Sequence, residues 1–432
     1  MTETEAKLPA PRGRLALRVS SWHRLALIFA ILGPGFITGV ADDDAPGITG
    51  YSIAGSHYGY DLLWALALTM VALIVCQEMV ARMGAVTGKG LSDLIRERFG
   101  VKITLLAMVA LLIANATTTV AEFAGIAAAS ELFGISRFIT IPVAAVVVFA
   151  MVVWGTYRKV ELILLSISMV FIADVITGFK ASPDWLDVAH GATVPTVKLD
   201  VGYLTVLIGL IGTTITPWGQ FYLQSAVVDK GLGVRDLKHA RADAYIGAFV
   251  TNFIAFFIIV TTAATLYVHG RPADTITDVA ESLRPLAGDF GEKLFALGLL
   301  NASLMATAVL PLSTAYAICE AFGWERSVSR PLREAPTFFA LFGGLILLAA
   351  AAVLAPGVPL LVLLFLPNVV GAVLLPIILV LTLLLVNDAR LMGAHANGRG
   401  QNIVGWATTV ALMILTTLFV ITAFLEVFGV IG

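Results

Sequence analysis

The chain has 432 residues, 59% of them hydrophobic and 13% charged, with a mean hydropathy of +0.93. Soluble domains carry about a quarter charged residues, so this composition excludes an ordinary soluble protein and predicts an all-α, polytopic membrane protein. A formal net charge of −2 excludes a general nucleic-acid role, and Cys76 and Cys319, far apart in apolar segments, predict neither a disulfide framework nor a zinc site.

Residues 1–23 are polar, carry Pro9, Pro11, Arg12, Arg14 and Arg18, and lack a signal-peptide cleavage pattern. They are expected to form a disordered cytoplasmic tail ahead of a single transmembrane domain over 24–432. At about 20 apolar residues per crossing, the chain then holds about eleven spans. They fall near 25–55, 61–81, 103–130, 136–156, 159–180, 202–228, 243–268, 290–319, 335–355, 358–386 and 403–430.

The first span contains GPGFITGVADDDAPGITGY, from Gly33 to Tyr51. Carboxylates inside a bilayer are costly and mark function, while Pro46 and Gly47 interrupt the helix and free backbone carbonyls. Adjacent side chains on a helix point about 100° apart, so Asp42, Asp43 and Asp44 are not expected to meet one ion together. Asp44, directly before Ala45-Pro46-Gly47, is the one expected at the break. Asp43 is expected to line a vestibule and Asp42 to face a polar aqueous path.

In the third span Glu122 lies one turn from Thr118 and Thr119, and Asp174 falls late in the fifth. Glu78 and Glu320 sit near span ends, where snorkelling or a salt bridge accounts for them. The sixth span carries a second interruption, IGTTITPWGQFYLQS over 211–225, with Pro217 and Gly219. Half-helix ends and unwound carbonyls there suit a cation. Asn368 stands between Pro367 and Gly371 in the tenth span. All six histidines (His23, His57, His190, His239, His269, His395) fall in loops or at span ends, which excludes a histidine metal site at mid-membrane depth.

With the N-terminus inside, all of the 27 basic residues except Arg137, Lys180, Lys198, Arg271, Arg284 and Lys293 fall on the cytoplasmic side. An odd number of spans then puts the C-terminus outside. Breaks five spans apart predict two inverted five-helix repeats, about 25–180 and 202–386, plus one extra helix at about 403–430. Transporters with a midplane site are built this way.

Four stretches resemble successive segments of the Nramp family of divalent-metal transporters, over nearly the whole chain. They are GPGFITGV, ARMGAVTGKGLSDLIRERFG (81–100), TTTVAEFAGIAAASELFGI and LPNVVGAVLLPIILV. The resemblance implies a LeuT-type fold with helices one and six interrupted and a metal site between the breaks. Against the family's helix-one DPGN, this chain reads Asp44, Ala45, Pro46 and Gly47, so the aspartate is kept and the asparagine ligand becomes Gly47; a one-residue adjustment would realign Pro and Gly. In helix six the family's MPH becomes Thr216-Pro217-Trp218, with an apparent one-residue insertion before Tyr222. Thr119 stands where the family has an aspartate of its proton path, Glu122 matches the family's glutamate, and Asn368 replaces a glutamine.

These departures resemble the Nramp-related magnesium transporter branch. They imply Asp44 as principal ligand, Asp43 nearby, and carbonyls of Ala41 and Thr213. Thr216 and Asn368 would complete the site, and Asp42, Glu122, Gln220 and Trp218 would be accessory. Loss of a thioether leaves oxygen donors, which suit Mg2+ and Mn2+, and Mg2+ keeps several waters, so a roomy site is expected. The implied activity is import of Mg2+ (and Mn2+) across a bacterial inner membrane by alternating access, without obligatory proton coupling. The metal is substrate, no cofactor is implied, and the partners are the ion and the lipid bilayer, with no obligatory protein partner. The alternatives are a proton-coupled Mn2+/Fe2+ transporter of the ordinary family type and an organic-solute symporter on the same fold. An intramembrane enzyme has no supporting signature.

Overall fold

The computed structural model describes residues 33–154, 172–283, 288–325 and 332–427. The whole of the expected tail (1–23), the stretch 159–171 of the fifth span, and the loop residues Arg158, Arg284, Arg326 and Arg330 lie outside these. Among the described residues there is no strand.

The first span is two helices, α1 (Pro34–Asp42) and α2 (Ala45–Tyr58). Next come α3 (Leu63–Thr87), α4 (Leu91–Leu132), α5 (Arg137–Val153) and α6 (Ile172–Lys180). The sixth span is again two helices, α7 (Val201–Thr214) and α8 (Pro217–Asp229). The remainder are α9 (Leu237–Thr265), α10 (Gly291–Phe322), α11 (Pro336–Leu354), α12 (Leu360–Val386) and α13 (Arg399–Val427), with three short α-helices and four 3-10 turns also among the described residues. Eight described helical stretches are long and apolar enough to cross a membrane. All eleven expected spans have a helical counterpart, the fifth in its last part only. The result is an all-α, LeuT-type architecture with spans one and six broken.

Helix limits follow from local chemistry. Ser136 caps α5 and Asp200 caps α7, each accepting a hydrogen bond from a backbone N–H of the first turn. Gly88 (φ 64°) and Gly323 (φ 68°) end α3 and α10 in the left-handed conformation that glycine adopts without strain. Gly100 (φ 74°) divides α4 into a short lead-in and the spanning part. That corner explains why the apolar run of the third span begins only after Val101.

The broken helices sit inside a ring formed by the others. α2 is buried over nearly its whole length, whereas α13 is mostly exposed at the edge. Large apolar side chains such as Val146, Leu347 and Ile403 face outward, as lipid-covered positions do.

One end of the bundle is fastened by charge. Arg82 makes a two-pronged pair with Glu78 (both contacts 2.9 Å), each side chain being only 1% exposed. Arg241 of α9 (2.7 Å) and Gln401 of α13 (2.8 Å) also donate to Glu78. Arg82 further donates to Asn397 Oδ1 at 2.6 Å and to the His395 carbonyl. Glu78 is therefore held by a salt bridge, one of the two accounts its position allowed.

Candidate functional site

α1 ends at Asp42. Asp43 (φ −82°, ψ 49°) and Asp44 (φ −81°, ψ −178°) are non-helical, and the helix resumes at Ala45. Pro46 lacks the N–H that would bond the Asp42 carbonyl, and its ring would collide with that carbonyl in a continuous helix. Asp44 then caps α2, its Oδ1 accepting the Gly47 N–H at 2.8 Å. Carbonyls in the last turn of α1 lose their intrahelical partners. Gly39 O accepts from Thr251 Oγ1 at 2.5 Å, while those of Ala41 and Asp42 end at the break.

The second break has the same construction. α7 ends at Thr214, Ile215 (φ −117°, ψ 88°) is non-helical, Thr216 (φ −84°, ψ 139°) is extended, and Pro217 opens α8. Pro217 frees the Thr213 carbonyl as Pro46 frees that of Asp42.

Two hydrogen bonds draw the parts together. Thr216 Oγ1 donates to Asp42 Oδ1 at 2.9 Å, and Asn368 Nδ2 of α12 donates to the Pro46 carbonyl at 2.8 Å. Missing side chains permit this approach. A Cβ on Gly212 would lie 2.0 Å from Asn368 O, and one on Gly50 would lie 2.7 Å from Asn368 Nδ2. A Cβ on Gly125 would lie 2.6 Å from Ala45 Cβ, so α4 reaches the first break only because residue 125 is glycine.

Between the breaks is a cavity of about 10 Å3, whose polar lining comprises Asp44, Asn115, Thr118, Thr213, Thr216, Trp218 and Asn368. Its other lining residues supply no sulfur or imidazole. It holds about one water-sized sphere. The roomy site expected from the sequence is therefore absent from this conformation, because the Thr216–Asp42 and Asn368–Pro46 bonds pull three elements onto it.

Each expected residue can now be placed. Asp44, Thr213, Thr216, Trp218 and Asn368 meet at the cavity, with Gly47 beside Asp44 and Thr213. Ala41 is buried at the end of α1. Asp42 is not on an aqueous path: it is 1% exposed and bonded to Thr216, since the torsions at Asp43 and Asp44, rather than a regular helical rotation, set the three directions. Asp43 is equally buried, away from the cavity lining, and neither of its oxygens has a hydrogen-bond partner. Glu122 is buried against Asp44, Ala45 and Ser303, behind the cavity rather than in it. Gln220 is buried outside the lining. Thr119 Oγ1 donates to the Asn115 carbonyl at 2.7 Å and stays within its own helix.

Asn115 was not anticipated. It lines the cavity, donates to Thr314 Oγ1 at 2.6 Å, and leaves Oδ1 unpaired. Its spacing of three and four residues from Thr118 and Thr119 puts all three on one face, which is a signal the sequence carried.

Among the described residues no cation pairs with Asp42, Asp43, Asp44 or Glu122, and no three acidic, imidazole or thiol groups converge on one point. An ion here would meet one carboxyl group together with carbonyl, hydroxyl and amide oxygens, with three further buried acidic side chains nearby.

Residues 35–422 match the family model described as Nramp, natural resistance-associated macrophage protein-like. The divalent metal cation transporter MntH of Bacillus subtilis is 26% identical over 410 residues, covering 92% of this chain and 93% of its own. The protein of the same name from Erwinia tasmaniensis is 30% identical over 290 residues, covering 65% and 70%. Among solved structures, a variant of the Eremococcus coleocola manganese transporter superposes with a TM-score of 0.75 at 21% identity, covering 98% of this chain and 91% of that one. Mhp1, a nucleobase-cation-symport-1 family transporter in a closed conformation, superposes with a TM-score of 0.52 at 16% identity, covering 90% and 89%.

Proposed function

This chain belongs to the Nramp family, and we propose that it carries divalent metal ions, Mg2+ and Mn2+, into a bacterial cell across the inner membrane by alternating access. Relatives named as divalent metal cation transporters support the general activity. The observation that carries the finer reading is the polar lining of the cavity between the breaks, which holds no sulfur or imidazole and whose only lone-pair donors to a metal are oxygens. Asp44 is the charged ligand. The Ala41 and Thr213 carbonyls and Thr216 complete the set, Gly47 leaves space where the family's asparagine would bind, and Asn368 closes over the ion. Asp43 and Asp42 stand close by as further buried acidic groups, with Glu122, Gln220 and Trp218 in supporting positions. Oxygen donors do not reward softness, so Mg2+ competes with Mn2+; a partly hydrated Mg2+ requires a wider conformation than the present one.

The N-terminus lies in the cytoplasm and the C-terminus outside, an orientation supported by the distribution of basic residues. Residues 25–180 and 202–386 form the inverted repeats, with 403–430 as the added helix and 1–23 as the tail. Proton coupling is not obligatory: two charges moving inward down about 100 mV gain roughly 4.6 kcal/mol. Uptake of Mn2+ into proteoliposomes, with Mg2+ as competitor, tests the reading. Millimolar Mg2+ blocks uptake if it is correct; uptake indifferent to Mg2+ defeats it.

The burial of Glu122 against Asp44 favours a second reading, proton-coupled Mn2+ transport with Glu122 as proton carrier. Intravesicular acidification stoichiometric with Mn2+ uptake would select it.

A further inference from the structure

The first turn of α1 is held by a side chain from another span. Asp243 of α9 accepts from the Gly33 N–H (2.8 Å) and the Phe36 N–H (3.2 Å) through Oδ1, and from the Gly35 N–H (2.6 Å) through Oδ2. Pro34 has no N–H, so this one carboxylate satisfies the free donors of the turn. Anionic acceptors at a helix start make the stronger class of hydrogen bond.

The contact continues one turn at a time. A Cβ on Gly247 would lie 2.1 Å from Gly35 O, one on Gly39 would lie 2.6 Å from Gly247 O, and Thr251 Oγ1 donates to Gly39 O. Residues 243, 247 and 251 share one face of α9, and along it α1 lies backbone to backbone. At its other end α1 is tied to α8 by the single Thr216–Asp42 bond. Four hydrogen bonds and a glycine seam therefore join α1 to α9, against one bond joining it to α8.

We propose that Asp243 is a positioning residue that latches α1 to α9, so that the two move as one body and the site opens toward the N-terminal side by parting α1 from α8. This rests on the alternating-access reading above. Because Arg241 pairs with Glu78, the motion of α9 is passed on to α3 as well.

Two measurements test the latch, both on full-length protein carrying Cys76→Ala and Cys319→Ala to remove the buried native thiols. The first needs no metal. Thr38, fully buried on α1, is replaced (Thr38→Cys), and its reaction with a membrane-impermeant thiol reagent is timed with and without Asp243→Ala. Loss of the latch raises the labelling rate roughly tenfold or more; an unchanged rate overturns the proposal. Asp243→Asn, which keeps one acceptor oxygen, gives an intermediate rate and serves if the alanine variant does not fold.

The second uses Gly33→Cys with Asp243→Cys. A Cβ at Gly33 lies 2.3 Å from Asp243 Cγ, close enough for the two thiols to bridge. Oxidation replaces the latch by a covalent one, and Mn2+ uptake stays equal to or exceeds that of the reduced protein. Arrest on oxidation that a reductant reverses, or failure of the bridge to form, overturns the joint motion. Thr38→Cys with Gly219→Cys bridges α1 to α8 instead, and its oxidation stops uptake. A parent protein that moves no metal defeats the transport reading and leaves the labelling result intact.

Discussion

The Thr216 hydroxyl donates to Asp42 Oδ1 at 2.9 Å, joining the end of one broken helix to the start of another. Asn368 makes the counterpart across the cavity through the Pro46 carbonyl. By the family resemblance drawn from the sequence, each link is made by a residue standing where the family has another: Thr216 for a methionine and Asn368 for a glutamine. The substitutions that change the donor set also supply the contacts that close it.

Thr216→Met removes the donor to Asp42 and restores a soft sulfur. We expect Mg2+ to lose about tenfold in its ability to inhibit Mn2+ uptake, a change of about 1.4 kcal/mol, while Cd2+ uptake increases, since thioether sulfur favours softer metals. Competition curves in proteoliposomes measure both.

Asp44 has two tasks, capping α2 and facing the cavity, and two substitutions separate them. Asparagine caps as well as aspartate, so Asp44→Asn leaves the melting temperature nearly unchanged while uptake falls to background. Asp44→Ala loses both, with a capping cost of about 1 kcal/mol. Normal uptake by the asparagine variant would remove Asp44 from the ligand set.

Gly212→Ala places a methyl group 2.0 Å from a backbone oxygen of α12. Overpacking of this kind costs about 1–3 kcal/mol, and melting temperature and uptake both drop. Gly344→Ala is the comparison: nothing lies within 4 Å of its Cβ, and removing a helix-interior glycine there is neutral or slightly stabilising.

Glu78→Gln leaves Arg82 buried without its counter-charge, at a cost of about 3–5 kcal/mol typical of broken buried pairs. Adding Arg82→Gln recovers part of that loss. A thermal double-mutant cycle in detergent reads the coupling, and additive effects of the two changes would show that the pair contributes nothing as a pair.

Outside the membrane region, Asp388 is held below the ordinary carboxylate value, first by the Arg390 N–H and then by Arg98. Its folded value lies beneath its unfolded one, so its contribution is present above about pH 4 and fades as pH falls further. The melting temperature of Asp388→Asn should consequently depend less on pH between 5 and 3 than that of the parent.

The sequence made the two breaks legible because a proline inside a long apolar run has few other uses, and Asp44 because it directly precedes Ala45 and Pro46. The direction of Asp42 was not legible. It depends on the torsions of Asp43 and Asp44, which a helical-wheel argument treats as regular. Asn115 and Gly212 act through residues some 200 and 156 positions away, Thr314 and Asn368, and only the fold brings those partners near. The contraction of the cavity likewise comes from crossing contacts between spans that no local pattern encodes.

A chamber with room for one water-sized sphere holds no continuous file of water from one compartment to the other. Protons hop along such files and small monovalent ions travel in them, so neither finds a file of water to follow through the gap between the two breaks in this form. A cell can keep many copies in an energised membrane without short-circuiting it.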